Sequence, residues 1–82
     1  MKLAFAVNKI SKAVGTEPTK NEHGNILTWK AGRYTVSVYR NGDGEEVALI
    51  HARHTGDTPD SMSDYFPGSY FDSIPQLLRY IA

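Results

Sequence analysis

Cysteine is absent from this 82-residue chain. That excludes a disulfide framework and a thiolate zinc site, and it suits a reducing cytosol. Long hydrophobic runs are missing too. The longest, Leu3 to Val7, is five residues, far short of the ~20 that a membrane-spanning helix needs. It is also short for a signal-peptide core, and Lys9 and Lys12 follow it closely. Net charge is the third absence. Nine Lys+Arg stand against nine Asp+Glu, which argues against a wholesale binder of polyanions. The expectation from these absences is a cytoplasmic protein.

What is present belongs to a globular chain. Forty per cent of the residues are hydrophobic and 22% are charged, enough for one small core in one domain, residues 1–82. The charge is unevenly spread. Residues 1–42 carry seven cations and two anions, or +5, and residues 43–82 carry two cations and seven anions, or −5. Either the halves interleave into a mixed surface, or a basic and an acidic face each steer a charged partner.

Periodicity predicts two helices. Leu3, Val7, Ile10 and Val14 make one apolar stripe, closed by Gly15 at the position of a left-handed cap. Phe5 falls on the opposite side of that helix, beside Lys9 and Lys12. An exposed phenylalanine there suggests a contact for a partner or for a second copy of the chain. At the other end, Ser73 and Gln76 match a capping box, and Pro75 fits the first turn. Ile74, Leu77, Leu78 and Ile81 form the stripe that follows.

Between the helices lie strands. Ile26 to Lys30 is a strand by composition, and Tyr34 to Arg40 alternates with Tyr34, Val36 and Val38 on one face. Asn41-Gly42-Asp43-Gly44 is a strong hairpin signal, since Asn-Gly and Asp-Gly favour positive φ. Val47 to Thr55 returns as a strand, with either Val47 and Leu49 or Ala48 and Ile50 inward. Glu17–Lys20 supplies a short fourth strand if it pairs at an edge, where Pro18 and the charges would protect it. The expected fold is α+β, a two-layer sandwich in the order α-β-β-β-α. Both helices cover one face of a three-stranded antiparallel sheet, four-stranded with the edge piece.

The stretch from Gly56 to Asp72 reads as a long loop, and loops of that length are usually functional or disordered. It carries Tyr65, Phe66, Tyr70 and Phe71 around the Pro67-Gly68 turn, with Asp57, Asp60, Asp64 and Asp72 among them. Two roles are open to it. The aromatics fold inward as an Ω-like closure of the sheet, or they stand as tyrosine-rich anchors inside an acidic rim. The partner-binding candidates are therefore Asp57, Asp60, Asp64, Tyr65, Phe66, Tyr70 and Phe71. The run from Asp60 to Leu78 (DSMSDYFPGSYFDSIPQLL) resembles the carboxy-terminal part of small uncharacterised proteins of bacteriophages and mobile elements. In those, a Ser-Asp-Tyr-Phe tract precedes a short closing helix. The likeness covers about a quarter of the chain. It implies a phage accessory protein acting in the cytoplasm of a bacterial host, and it carries over no catalytic residue and no ligand.

Other chemistry finds little footing. His51 and His54 are three apart on a strand, so alternation puts them on opposite faces and a shared metal is disfavoured. From Asp57 the calcium-loop pattern fails, with Met62 at the sixth position and Gly68 at the twelfth. No nucleophile elbow and no phosphate-cradling glycine loop is present. The expectation is a protein without enzyme activity, cofactor or metal. The order helix–three strands–helix also matches a double-stranded-RNA-binding domain, but the last helix lacks the lysine cluster those domains use on phosphates. A sheet-borne alternative remains: Trp29 and Tyr39 as a stacking platform for nucleic acid, with Lys30, Arg33 and Arg40 on the backbone. Two functions follow from the sequence. One is a small adaptor that binds and modulates a host or defence protein through the acidic aromatic loop. The other is a nucleic-acid-binding module on the basic strands.

Overall fold

Spacing and capping define the two helices of the computed structural model, which describes residues 1–42, 44–54 and 68–82. Helix α1 spans Leu3–Val14 and buries Ala6 and Ile10. Its start has no side-chain cap. Instead the Leu3 amide donates to the Glu45 carbonyl at 2.6 Å, and Glu46 holds Lys2 and the amino terminus. The orphan donors of the first turn are thus partly met by the chain entering a strand. Gly15 ends the helix at φ 81°, its amide donating to the Ser11 carbonyl at 2.8 Å. Helix α2 spans Ile74–Ile81. Ser73 caps it as the sequence expects, its hydroxyl accepting from the Gln76 amide at 3.3 Å, and Pro75 sits in the first turn at no cost.

The sheet is a meander. Strands β1 (Thr19–Lys20), β2 (Ile26–Ala31), β3 (Tyr34–Arg40), β4 (Val47–His54) and β5 (Gly68–Phe71) lie side by side in chain order. Every neighbouring pair is antiparallel. The described order is therefore α-β-β-β-β-β-α, and the class is α+β. Five strands replace the expected three or four. The edge piece before Asn21 does pair, Thr19 opposite Thr28. The added strand, β5, comes out of the stretch read as a loop. Gly68-Ser69-Tyr70-Phe71 does not alternate, its two aromatics standing side by side, so periodicity announces no strand there. Its pairing with β4, from Ile50↔Phe71 to Arg53↔Gly68, makes it one.

A bulge resolves the inward face of β4. Tyr39 pairs with Leu49 but Arg40 pairs with Val47, so Ala48 is an extra residue in the ladder. The alternation breaks there. Val47 and Ile50 both pack on the core, and Ala48 and Leu49 are exposed. Neither two-residue alternative from the sequence survives whole.

One cluster forms the core. Ala6, Ile10, Ile74 and Leu77 from the helices meet Leu27, Trp29, Val36, Val38, Ile50 and Ala52 from the central strands. Leu3, Val7, Leu78 and Ile81 pack partly buried against it. Both helices therefore lie on one face of the sheet, and among the described residues no helix covers the other. At one end Tyr80 of α2 meets Tyr34 and Phe71 edge-on, ring centroids 5.2 Å apart in each case.

Candidate functional site

Register determines what the face away from the described helices displays, because directly paired residues of a sheet share a side. Three cross-strand rows result. The middle row is Thr19, Thr28, Ser37, His51 and Tyr70. On one side of it runs an apolar row, Ile26, Tyr39 and Leu49, and on the other a polar row, Lys30, Thr35 and Arg53. Tyr70 is 71% exposed and Leu49 37%. Thr35 is buried despite facing outward, and its hydroxyl accepts from Lys30 Nζ at 3.2 Å. No described strand residue on this face is a carboxylate.

His51 stands at the centre. Its ring lies 5.0 Å from that of Tyr70, tilted at 51°. Burial, with Arg53 close on the same face, holds its pKa below the usual histidine range. At neutral pH the imidazole is uncharged, and it presents a flat, weakly polar surface next to the phenol. His54 is on the opposite side, its ring 5.1 Å from Tyr34. The two histidines are separated by the sheet.

The sequence candidates are dispersed by this geometry. Tyr70 lies on the open face. Phe71, one residue on, points to the helices, packs against the core and meets Tyr80. Strand alternation turns it toward the helices, away from Tyr70. Asp57, Asp60, Asp64, Tyr65 and Phe66 lie outside the described residues. In the basic set, Tyr39 and Lys30 reach the open face, but Trp29 does not. Trp29 is 1% exposed, on the helix side, with its indole N–H donating to Ser11 Oγ at 3.1 Å. It is a core residue and cannot stack on a ligand. Arg40 also turns away from Tyr39. It pairs with Val47, and its Nε donates to the Gly44 carbonyl at 2.6 Å. Arg33 sits in the β2–β3 turn. The expected platform is thus split between two faces.

Ile26, Leu49 and His51 join the face without having been singled out as binding residues. The signal for them was indirect. Once Tyr34, Val36 and Val38 are inward, Ser37, Tyr39 and everything paired with them must be outward. On the helix side, a groove of about 540 Å³ runs under β1, lined by Leu3, Val7, Pro18 and Leu27. Lys2, Lys20 and Arg40 share its wall with Glu17 and Glu45, so it selects no sign of charge. No helix among the described residues is long and apolar enough to cross a membrane. In comparison with known proteins, the chain matches no family model, no curated protein and no solved structure.

Proposed function

We propose that this chain is a small, non-enzymatic binding module of the phage accessory kind, which docks on another protein through the open face of its sheet. The observation that carries this reading is Tyr70. It is a large aromatic side chain left mostly exposed on a face that no described helix covers, next to His51 and two strands from Tyr39. Tyrosines of this kind supply interface anchors, since they bury much area and have few rotatable bonds to immobilise. Leu49, Tyr39 and Ile26 extend the anchor into an apolar strip. The Ser-Asp-Tyr-Phe tract that resembles phage proteins precedes β5 in the sequence, and that resemblance supports a partner in a bacterial host.

A photo-crosslinking residue at position 49 tests it in bacterial cells, with one at position 12 on α1 as control. The expected result is a discrete protein adduct from position 49 that survives nuclease and disappears in Tyr70→Ala. No adduct from position 49, or equal adducts from both positions, would overturn it.

One observation favours a second reading, single-stranded nucleic acid on the same face. Lys30 and Arg53 flank Thr35 with no outward carboxylate on the described strands, and Tyr39 and Tyr70 offer rings for base stacking. Arg53 is already engaged within the molecule, and Trp29 is lost to the core. Protein binding is therefore the better supported of the two.

A further inference from the structure

The outer surface of the helical layer has a different character from the sheet. Phe5 is 52% exposed and Met1 43%. They border an apolar groove of about 390 Å³ whose far wall is Ile74, Pro75 and Leu78 of α2, with Lys9 at the rim. Phe5, Lys9 and Lys12 share one stripe of α1, and Pro75 and Arg79 share one of α2, by helical spacing. Lys9 Nζ lies 5.7 Å from the centroid of the Phe5 ring.

Among the described residues, the charges carried by the two helices have one sign. Neither helix contains a carboxylate, and none lines the groove. Lys9, Lys12 and Arg79 are exposed, and the ion pairs among the described residues leave them out. Glu46 is already occupied by Lys2 and the amino terminus, at 3.1 and 3.2 Å. The exposed described carboxylates nearest the two helices in the chain are Glu17, past the end of α1, and Asp72, just before α2.

We propose that the groove between α1 and α2 is a docking site for an acidic amphipathic helix of another protein. One large apolar side chain of that helix enters beside Phe5, and its carboxylates face Lys9, Lys12 and Arg79. Charge complementarity selects this occupant. A second copy would bring Lys9, Lys12 and Arg79 against their own counterparts across a two-fold axis, and like charges facing each other are repelled. A concave groove receives a protruding side chain, whereas an anionic bilayer is met by a protruding ridge. The site lies on the layer opposite the open sheet face, so it does not depend on the protein-binding reading of that face.

The test uses the whole chain and a panel of labelled helical peptides. Each peptide has a stripe of leucine, phenylalanine or methionine flanked by glutamates, and each has a counterpart with lysine in place of glutamate. Fluorescence anisotropy is expected to show binding of at least one glutamate peptide and of no lysine peptide. Affinity should fall with added salt. Phe5→Ser and the pair Lys9→Glu/Lys12→Glu should each weaken it about tenfold or more, a typical loss at an anchor residue. Both are surface changes, so melting curves should match the parent. Tyr70→Ala should leave peptide binding unchanged, which separates this site from the sheet face. Equal binding of both peptide charges, binding of none, or partition onto phosphatidylserine vesicles without peptide binding would overturn the proposal. So would a dimer in sedimentation that dissociates in Phe5→Ser.

Discussion

The indole of Trp29 and the hydroxyl of Ser11 join the two layers, at 3.1 Å from Nε1 to Oγ. Trp29 is almost fully buried, and this bond gives its only polar atom a partner. Helix α1 is thereby seated over β2 by a directional contact as well as by apolar packing. Ser11→Ala leaves a buried N–H without an acceptor, which costs about 1–3 kcal/mol. Trp29→Phe removes the donor as well, so adding Ser11→Ala to it should cost much less. Urea denaturation of the four proteins in the cycle measures the coupling.

Leu77 is fully buried between the layers, and Leu78 is only partly so. Leu77→Ala should destabilise the fold by about 2–5 kcal/mol, as large-to-small core changes do. For a domain this small, that is a large share of the total. Leu78→Ala should cost distinctly less. Thermal melts showing equal losses, or no loss at Leu77, would mean that α2 is not seated as described.

Stability should respond to mild acid through His51. Its folded pKa lies below the ordinary value of 6.5 because burial and Arg53 disfavour the charged form. The unfolded chain therefore binds more protons in the window from 6.5 down to the folded value. Stability rises with pH through that window and is lost as pH falls through it. An NMR titration should show the His51 ring protonating at lower pH than the ordinary value, and His51→Gln should flatten the dependence. At lower pH a second loss is expected from Glu46, whose pKa is depressed by hydrogen bonds from Lys2 and the amino terminus. Stability held by that group is present above the usual carboxylate range and is lost as pH falls through its folded value.

Salt separates the two readings of the open face. A protein partner anchored on Tyr70 should show a faster dissociation rate in Tyr70→Ala, with a modest effect of salt. Nucleic acid should bind with an affinity that falls steeply with salt, and Lys30→Ala should reduce that slope. Surface plasmon resonance on the captured partner, and anisotropy with single-stranded oligonucleotides, read the two cases.

Much of the scaffold was legible because local rules act alone there. The stripe of Leu3, Val7, Ile10 and Val14, the Ser73 cap, the Asn41-Gly42 turn and the inward set Tyr34, Val36 and Val38 each follow from spacing or backbone preference within a few residues. Trp29 was not legible. Leu27 and Trp29 share one phase of its strand against Ile26, Thr28 and Lys30 in the other, but an alternation this short, with Ile26 in the polar phase, marks the inward face only weakly. The pairing of Trp29 with Val36 decides it. The bulge at Ala48 and the strand Gly68–Phe71 were hidden for a related reason, since each exists only through its pairing with a neighbouring strand. The candidate face shows the same division. The sequence by itself supplied Tyr39, Lys30 and Tyr70 as candidates. Only the tertiary structure decided that they share a surface with His51 and Leu49, while Trp29, Arg40 and Phe71 turn to the other side. Which side of a sheet stays open depends on where the helices bury their apolar stripes, and that is a property of the packed layers rather than of any single residue.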